Sequence, residues 1–124
     1  MNLNQMAKDI TLKEGGKVSP VAAPSPIICV DFDGTLCEYA FPDCGPPRVE
    51  VIEALRALRA EKWRIIIHSS RVNSEWPEPG RTEKVQAMVS YLVGHEIPFD
   101  EIWGVAFEWG ACDAWMKVYH WWFE

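Results

Sequence analysis

Short apolar runs and amphipathic stretches alternate along the chain. Ile27 to Val30 is a continuous apolar run between Pro26 and Asp31, which reads as a strand buried on both faces. Over residues 48–61, Val51, Ile52, Leu55 and Leu58 fall on one helical stripe, with Glu50, Glu53, Arg56 and Arg59 largely away from it. Pro47 suits the first turn of that helix. Trp63 to His68 reads as a second strand with Ile65, Ile66 and Ile67 at its centre. Arg81 to Val93 repeats the helical pattern through Val85, Met88, Val89 and Leu92, and Gly94 suits its C-terminal stop. Glu101 to Val105 reads as a third short strand. Strand, helix, strand, helix, strand predicts an α/β domain with a mainly parallel sheet and right-handed crossovers.

The two ends carry weaker patterns. Residues 1–26 are polar, with Gly15, Gly16, Pro20, Pro24 and Pro26 and no sustained periodicity. They are expected to form a flexible N-terminal tail ahead of a single domain over 27–124. Beyond Phe107 the chain is rich in aromatics, with Trp109, Trp115, Trp121 and Trp122. Cys112, Trp115, Met116, Tyr119, Trp122 and Phe123 fall at helical spacing, while Val118 to Phe123 has the composition of a strand, and both readings stand. So many aromatics on a small domain are expected either to cover the sheet or to form a homo-oligomer interface.

Bulk properties narrow the function classes. A chain of 124 residues with 48% hydrophobic and 24% charged content suits one soluble globular domain. A formal charge of −6 disfavours non-specific binding of nucleic acid. No apolar run approaches the roughly 20 residues of a membrane span, and the N-terminus lacks the apolar core of a secretory signal, so a cytoplasmic protein with no membrane association is expected. Cys29, Cys37, Cys44 and Cys112 lack paired metal-ligand spacing. The sequence has no Gly-x-Gly-x-x-Gly, which disfavours a dinucleotide site.

The candidate chemistry sits where the first apolar run ends. Asp31 and Asp33 are one residue apart, and Gly34-Thr35 follows at once. Acids at i and i+2 on a strand point to the same side, and α/β proteins bind ligands outside the carboxyl ends of parallel strands. The next strand ends in His68-Ser69-Ser70-Arg71. A hydroxyl beside paired carboxylates can hold a phosphate oxygen, and an Arg can add a bidentate contact. For His68, a strand-end residue satisfied locally is the favoured reading over a catalytic one.

Asp31-Phe32-Asp33-Gly34-Thr35, followed by Ser69-x-Arg71 at the end of the next strand, resembles the haloacid dehalogenase-like (HAD) phosphohydrolases. The resemblance covers about residues 27–105. It implies a Rossmann-like three-layer α/β/α fold without a separate cap domain, the loop over 37–47 lying where a flap shapes access to the site. It implies a Mg2+-dependent phosphatase acting on a phosphorylated small molecule or nucleotide. Asp31 is then the nucleophile that forms an aspartyl-phosphate, and Asp33 the acid and base. Asp31 and the Asp33 carbonyl hold the Mg2+, and Ser69, Arg71, Thr35 and Gly34 bind the phosphate, the last two also setting the turn after the strand. The family's later motifs, a Lys and one or two further acids, have no match here. Lys84 is a poor substitute for the Lys, and Asp113 is a candidate replacement metal ligand. The alternative is a HAD-fold binding or regulatory protein that has lost turnover.

Overall fold

The computed structural model describes residues 12–16, 26–107 and 112–116. Among the described residues the chain is α/β, with five strands in one sheet and two α-helices. In chain order these are β1 (Leu12–Gly16), β2 (Ile27–Asp31), α1 (Val49–Ala60), β3 (Arg64–His68), α2 (Gly80–Gly94), β4 (Glu101–Phe107) and β5 (Ala114–Met116). A single 3-10 turn, Ser70–Val72, follows β3. The sheet order is β1-β4-β3-β2-β5, and every pairing is parallel.

The apolar runs form strands because each residue of β2 and β3 finds a covered face. Ile28, Val30, Ile65, Ile67 and Ile102 join Ile52 and Leu55 of α1 and Val85, Met88, Val89 and Leu92 of α2 in one core cluster. The alternate residues Ile27, Cys29, Ile66 and Trp103 form a second cluster on the opposite face, with Cys112 against it. Both helices therefore cover the same face. Right-handed crossovers require this, because β2, β3 and β4 step in one direction across the sheet. Among the described residues this is one of the two helical layers expected.

β5 then returns to the other side of β2. The strand order thus reverses at β2, and β2 ends between two neighbours reached by opposite routes. Open α/β sheets bind ligands at such a reversal, outside the carboxyl ends of the strands.

Several details differ from the sequence reading. Residues 12–16, inside the segment expected to be a tail, form β1 at the sheet edge beside β4, with a register shift between Lys13 and Gly15. Main-chain pairing makes that strand, so its sequence, Leu-Lys-Glu-Gly-Gly, carries no apolar alternation to announce it. α2 includes Gly94, but the left-handed residue that turns the chain away is Glu96, at φ 53°, with the Ile97 N–H reaching back to the Leu92 carbonyl at 2.9 Å. In the same way, Lys62, at φ 68°, turns the chain after α1. Of the aromatic C-terminal stretch, β5 is described, whereas Trp109, Trp121, Trp122 and the helix-or-strand choice for 118–123 lie outside the described residues. No helix among the described residues is long and apolar enough to cross a membrane.

Leu55 is fully buried in α1 against both strands and α2. Leu55→Ala is expected to lower unfolding free energy by about 2–5 kcal/mol in urea titrations. Val49→Ala, at an exposed position on the same helix, should stay within about 0.5 kcal/mol.

Candidate functional site

The site is built from the turn after β2. Strand geometry ends at Asp31, and the pairing with β3 continues for one bond, from the Phe32 N–H to the His68 carbonyl at 3.2 Å. The Phe32 carbonyl then accepts from the N–H groups of Thr35 (3.1 Å) and Leu36 (3.0 Å), which closes a tight turn. Gly34 sits inside it at φ 87°, a left-handed conformation that a side chain resists. Thr35 is fully buried, and its hydroxyl donates to Asp31 Oδ2 at 3.4 Å. Gly34 and Thr35 thus set the turn.

Asp31 and Asp33 have different surroundings. The other oxygen of Asp31, Oδ1, is 3.7 Å from His68 Nδ1. The register pairs these residues directly, Asp31 with His68, and the imidazole is buried. His68 therefore belongs to the site, although the sequence alone favours a local structural role. The signal that would have found it is the register, since both residues are the last of adjacent parallel strands.

Asp33 lies beyond the strand, so strand alternation no longer sets its direction. Arg71 does. Arg71 Nε donates to Asp33 Oδ2 at 2.9 Å, and Nη2 donates to Oδ1 at 2.7 Å. The remaining donors reach backbone carbonyls: Nη1 to Pro42 at 3.0 Å and Lys84 at 3.3 Å, and Nη2 to Asp43 at 3.0 Å. A guanidinium has five N–H donors, and all are engaged. The group is fully buried, with its central carbon 5.4 Å from the ring centre of Phe32 and 5.1 Å from that of Phe41. Burial alone would pull its pKa down, but the bonds and charge of Asp33 outweigh this and hold it above the ordinary value. Its donors are given to Asp33, the flap and α2.

Ser69 is buried at the end of β3 in an extended conformation, and its oxygen accepts from the Arg71 N–H at 3.1 Å. That bond uses the hydroxyl as an acceptor, so the hydroxyl proton is not spent on it. The structure therefore brings Asp31, Asp33, Gly34, Thr35, Ser69 and Arg71 together at the carboxyl ends of β2 and β3.

The segment 37–47 forms a small flap over this end. Cys37 bridges to Pro47 in antiparallel fashion, and the Glu38 N–H bonds the Pro46 carbonyl at 2.9 Å. Gly45 is required there, because a Cβ would collide with the carbonyl of Glu38. Tyr91 of α2 donates its hydroxyl to the Gly45 carbonyl at 2.9 Å. Burial pushes the Tyr91 phenol up to about 12, so it stays a donor. Phe41 at the flap tip meets Trp76 at 5.7 Å, and Lys84 Nζ lies 4.5 Å from the centre of the Trp76 ring. The Lys84 amine is thus held over Trp76, and its carbonyl accepts from Arg71.

The cysteines do not enter this chemistry. All four are free thiols. Burial pushes the Cys37 and Cys44 thiols up, which keeps them protonated and poor nucleophiles. Cys29 is raised further by its hydrogen bond with Cys112 and by burial.

Asp113 is excluded as a replacement ligand. Its Oδ2 accepts from the Ile27 N–H at 2.8 Å, and its own N–H donates to the Ile27 carbonyl at 2.8 Å. Ile27 opens the strand that Asp31 closes, so Asp113 lies at the opposite end of β2, about 13 Å away at strand rise. Among the described residues, no group of three or more His, Cys, Asp and Glu side chains is placed to hold a metal ion.

Asp113→Ala should therefore cost about 1–3 kcal/mol of stability, by leaving the Ile27 N–H without its partner. Urea titration of the variant checks this, and an unchanged unfolding free energy would show that the bond to Ile27 contributes no stability.

No protein-family model matches this chain, and neither a curated protein nor a solved structure is found to be similar to it.

Proposed function

We propose that the protein is a Mg2+-dependent phosphohydrolase of HAD type, with a Rossmann-like sheet that becomes three-layered when the second face is covered. The observation that carries the proposal is the position of Asp31 and Asp33. Both leave the carboxyl end of β2, where the strand order reverses, with the Ser69 hydroxyl at the end of the neighbouring strand. An attacking carboxylate, a second carboxyl to handle protons and a hydroxyl donor at one crevice are the parts of phosphoryl transfer through a covalent intermediate.

In this reading an Asp31 oxygen attacks phosphorus and the bond to the leaving oxygen breaks, giving an aspartyl-phosphate. Asp33 supplies the proton that the leaving oxygen takes up. A water then attacks the same phosphorus, Asp33 accepts its proton, and inorganic phosphate leaves as the Asp31 carboxylate is restored. A carboxylate offers about four acceptor positions, and Arg71 uses two of those on Asp33. The others remain for proton exchange. Thr35 orients Asp31 by its hydroxyl, and Ser69 turns its hydroxyl proton to a phosphoryl oxygen. The substrate is a phosphomonoester of a small molecule or nucleotide.

The donors present suit a hard, mostly hydrated cation, since one carboxylate and one carbonyl with substrate oxygens and waters fit the habits of Mg2+. Asp31 and the Asp33 carbonyl would hold it. When bound, it supplies positive charge between the Asp31 carboxylate and the phosphate, which otherwise repel.

A second reading is favoured by one observation. Both Asp33 oxygens are bonded to Arg71, and no further acid among the described residues joins Asp31 and Asp33. A protein that binds phosphorylated ligands without turning them over also fits this arrangement.

Phosphate release from a panel of sugar phosphates, nucleoside monophosphates and aryl phosphates at saturating Mg2+ separates the two. Turnover in the wild type, reduced by Asp31→Asn about a thousandfold or more (about 4 kcal/mol), supports the hydrolase. Binding of the same ligands with no turnover supports the second reading.

A further inference from the structure

We infer that Arg71 is a positioning residue, a clasp that couples the flap over 37–47 to Asp33, and that it keeps this role when the site holds phosphate. The flap part of this inference stands apart from the hydrolase reading. Only its catalytic consequence rests on that reading, through Asp33.

The case is one of donor accounting. Five N–H donors meet five acceptors: two on Asp33, two on the flap at Pro42 and Asp43, and one on α2 at Lys84. The acceptors come from segments far apart in sequence, and this one side chain bonds all of them. No solvent reaches the guanidinium, so a bond given up to a ligand is not replaced by water. The guanidinium carbon also lies over the rings of Phe32 and Phe41, so a swing toward a ligand gives up these cation–π contacts as well. Phe41 belongs to the flap, so the flap is bound to Arg71 by two carbonyls and a ring. Asp33 is bound by two parallel bonds that fix its plane as well as its position. A shift of the flap is therefore transmitted to Asp33 through a rigid planar group. The Arg71 N–H also bonds the Ser69 oxygen, so the same residue ties the hydroxyl donor into the assembly.

The two roles open to Arg71 make opposite predictions. A phosphate ligand must leave some of its partners when phosphate arrives, and the flap loosens. A clasp keeps them, and the flap holds or tightens.

The test is hydrogen exchange at the Glu38 and Asp43 amides, which bond the Pro46 and Ala40 carbonyls within the flap, read relative to core amides of β3. In Arg71→Lys, which keeps the charge but loses the planar fork, the flap amides should exchange about tenfold faster relative to β3. Asp33→Asn, which weakens the anchor from its other side, should move them in the same direction and serves where the Lys variant does not fold. In the wild type, inorganic phosphate with Mg2+ should leave flap exchange unchanged or slower. For turnover, Arg71→Lys should lower kcat with little change in KM. Flap exchange that is unchanged in both variants overturns the clasp. So does faster flap exchange on adding phosphate, or a rise in KM with kcat preserved. Absence of turnover in the wild type would count against the hydrolase reading and leave the exchange results to decide the clasp.

Discussion

A buried guanidinium must have its donors met, because each one left open inside the protein forfeits a hydrogen bond that water would have supplied. Around Arg71 this requirement organises the functional end of the sheet. The turn after β2 must present Asp33, the flap must bring two carbonyls inward, and α2 must begin so that the Lys84 carbonyl faces the same point. Each of these elements also has local bonds of its own: the Phe32 carbonyl closes the turn, the Cys37–Pro47 bridge closes the flap, and the Glu78 carboxylate accepts from the Thr82 N–H in the first turn of α2. Arg71 gives them a common anchor, and the sheet core beneath holds Arg71 at the end of β3.

The consequence for electrostatics is an uneven pair of acids. Asp33 faces a permanent positive charge at contact distance, whereas Asp31 faces the hydroxyl of Thr35 and the imidazole of His68. Asp33 is thus the acid whose plane and position a guanidinium fixes, while Asp31 is oriented through the Thr35 hydroxyl at the end of its own strand.

The sequence conveys the core of this fold well. β2, α1, β3, α2 and β4 are all announced by periodicity, because each buries a stripe or a run against its neighbours, and burial is what apolar pattern records. It misses β1, an edge strand held by main-chain bonds that Leu-Lys-Glu-Gly-Gly does not signal. It does not single out β5, three residues inside an aromatic stretch that reads equally as helix. In the site, the residues are legible and their partners are not. Ser69 and Arg71 stand out by spacing from the acids, but the acceptors of Arg71 lie 38, 29, 28 and 13 residues away in sequence. Three of the five are backbone carbonyls, which carry no sequence signature at all. Asp113 shows the converse error. Its residue type suggests a ligand, while its actual partners are the main-chain groups of Ile27, at the wrong end of the strand.

Those backbone acceptors also bear on why the site tolerates so few acids. In an open α/β sheet, the carboxyl ends of the strands gather whatever charges the loops carry, and two carboxylates one residue apart repel each other. A metal cage of three acids answers that repulsion with a divalent cation. Here half of the repulsion is answered inside the protein, because Arg71 neutralises Asp33 with no solvent between them. The repulsion between the two acids is thereby reduced within the fold itself, because one member of the pair is already held in an ion pair.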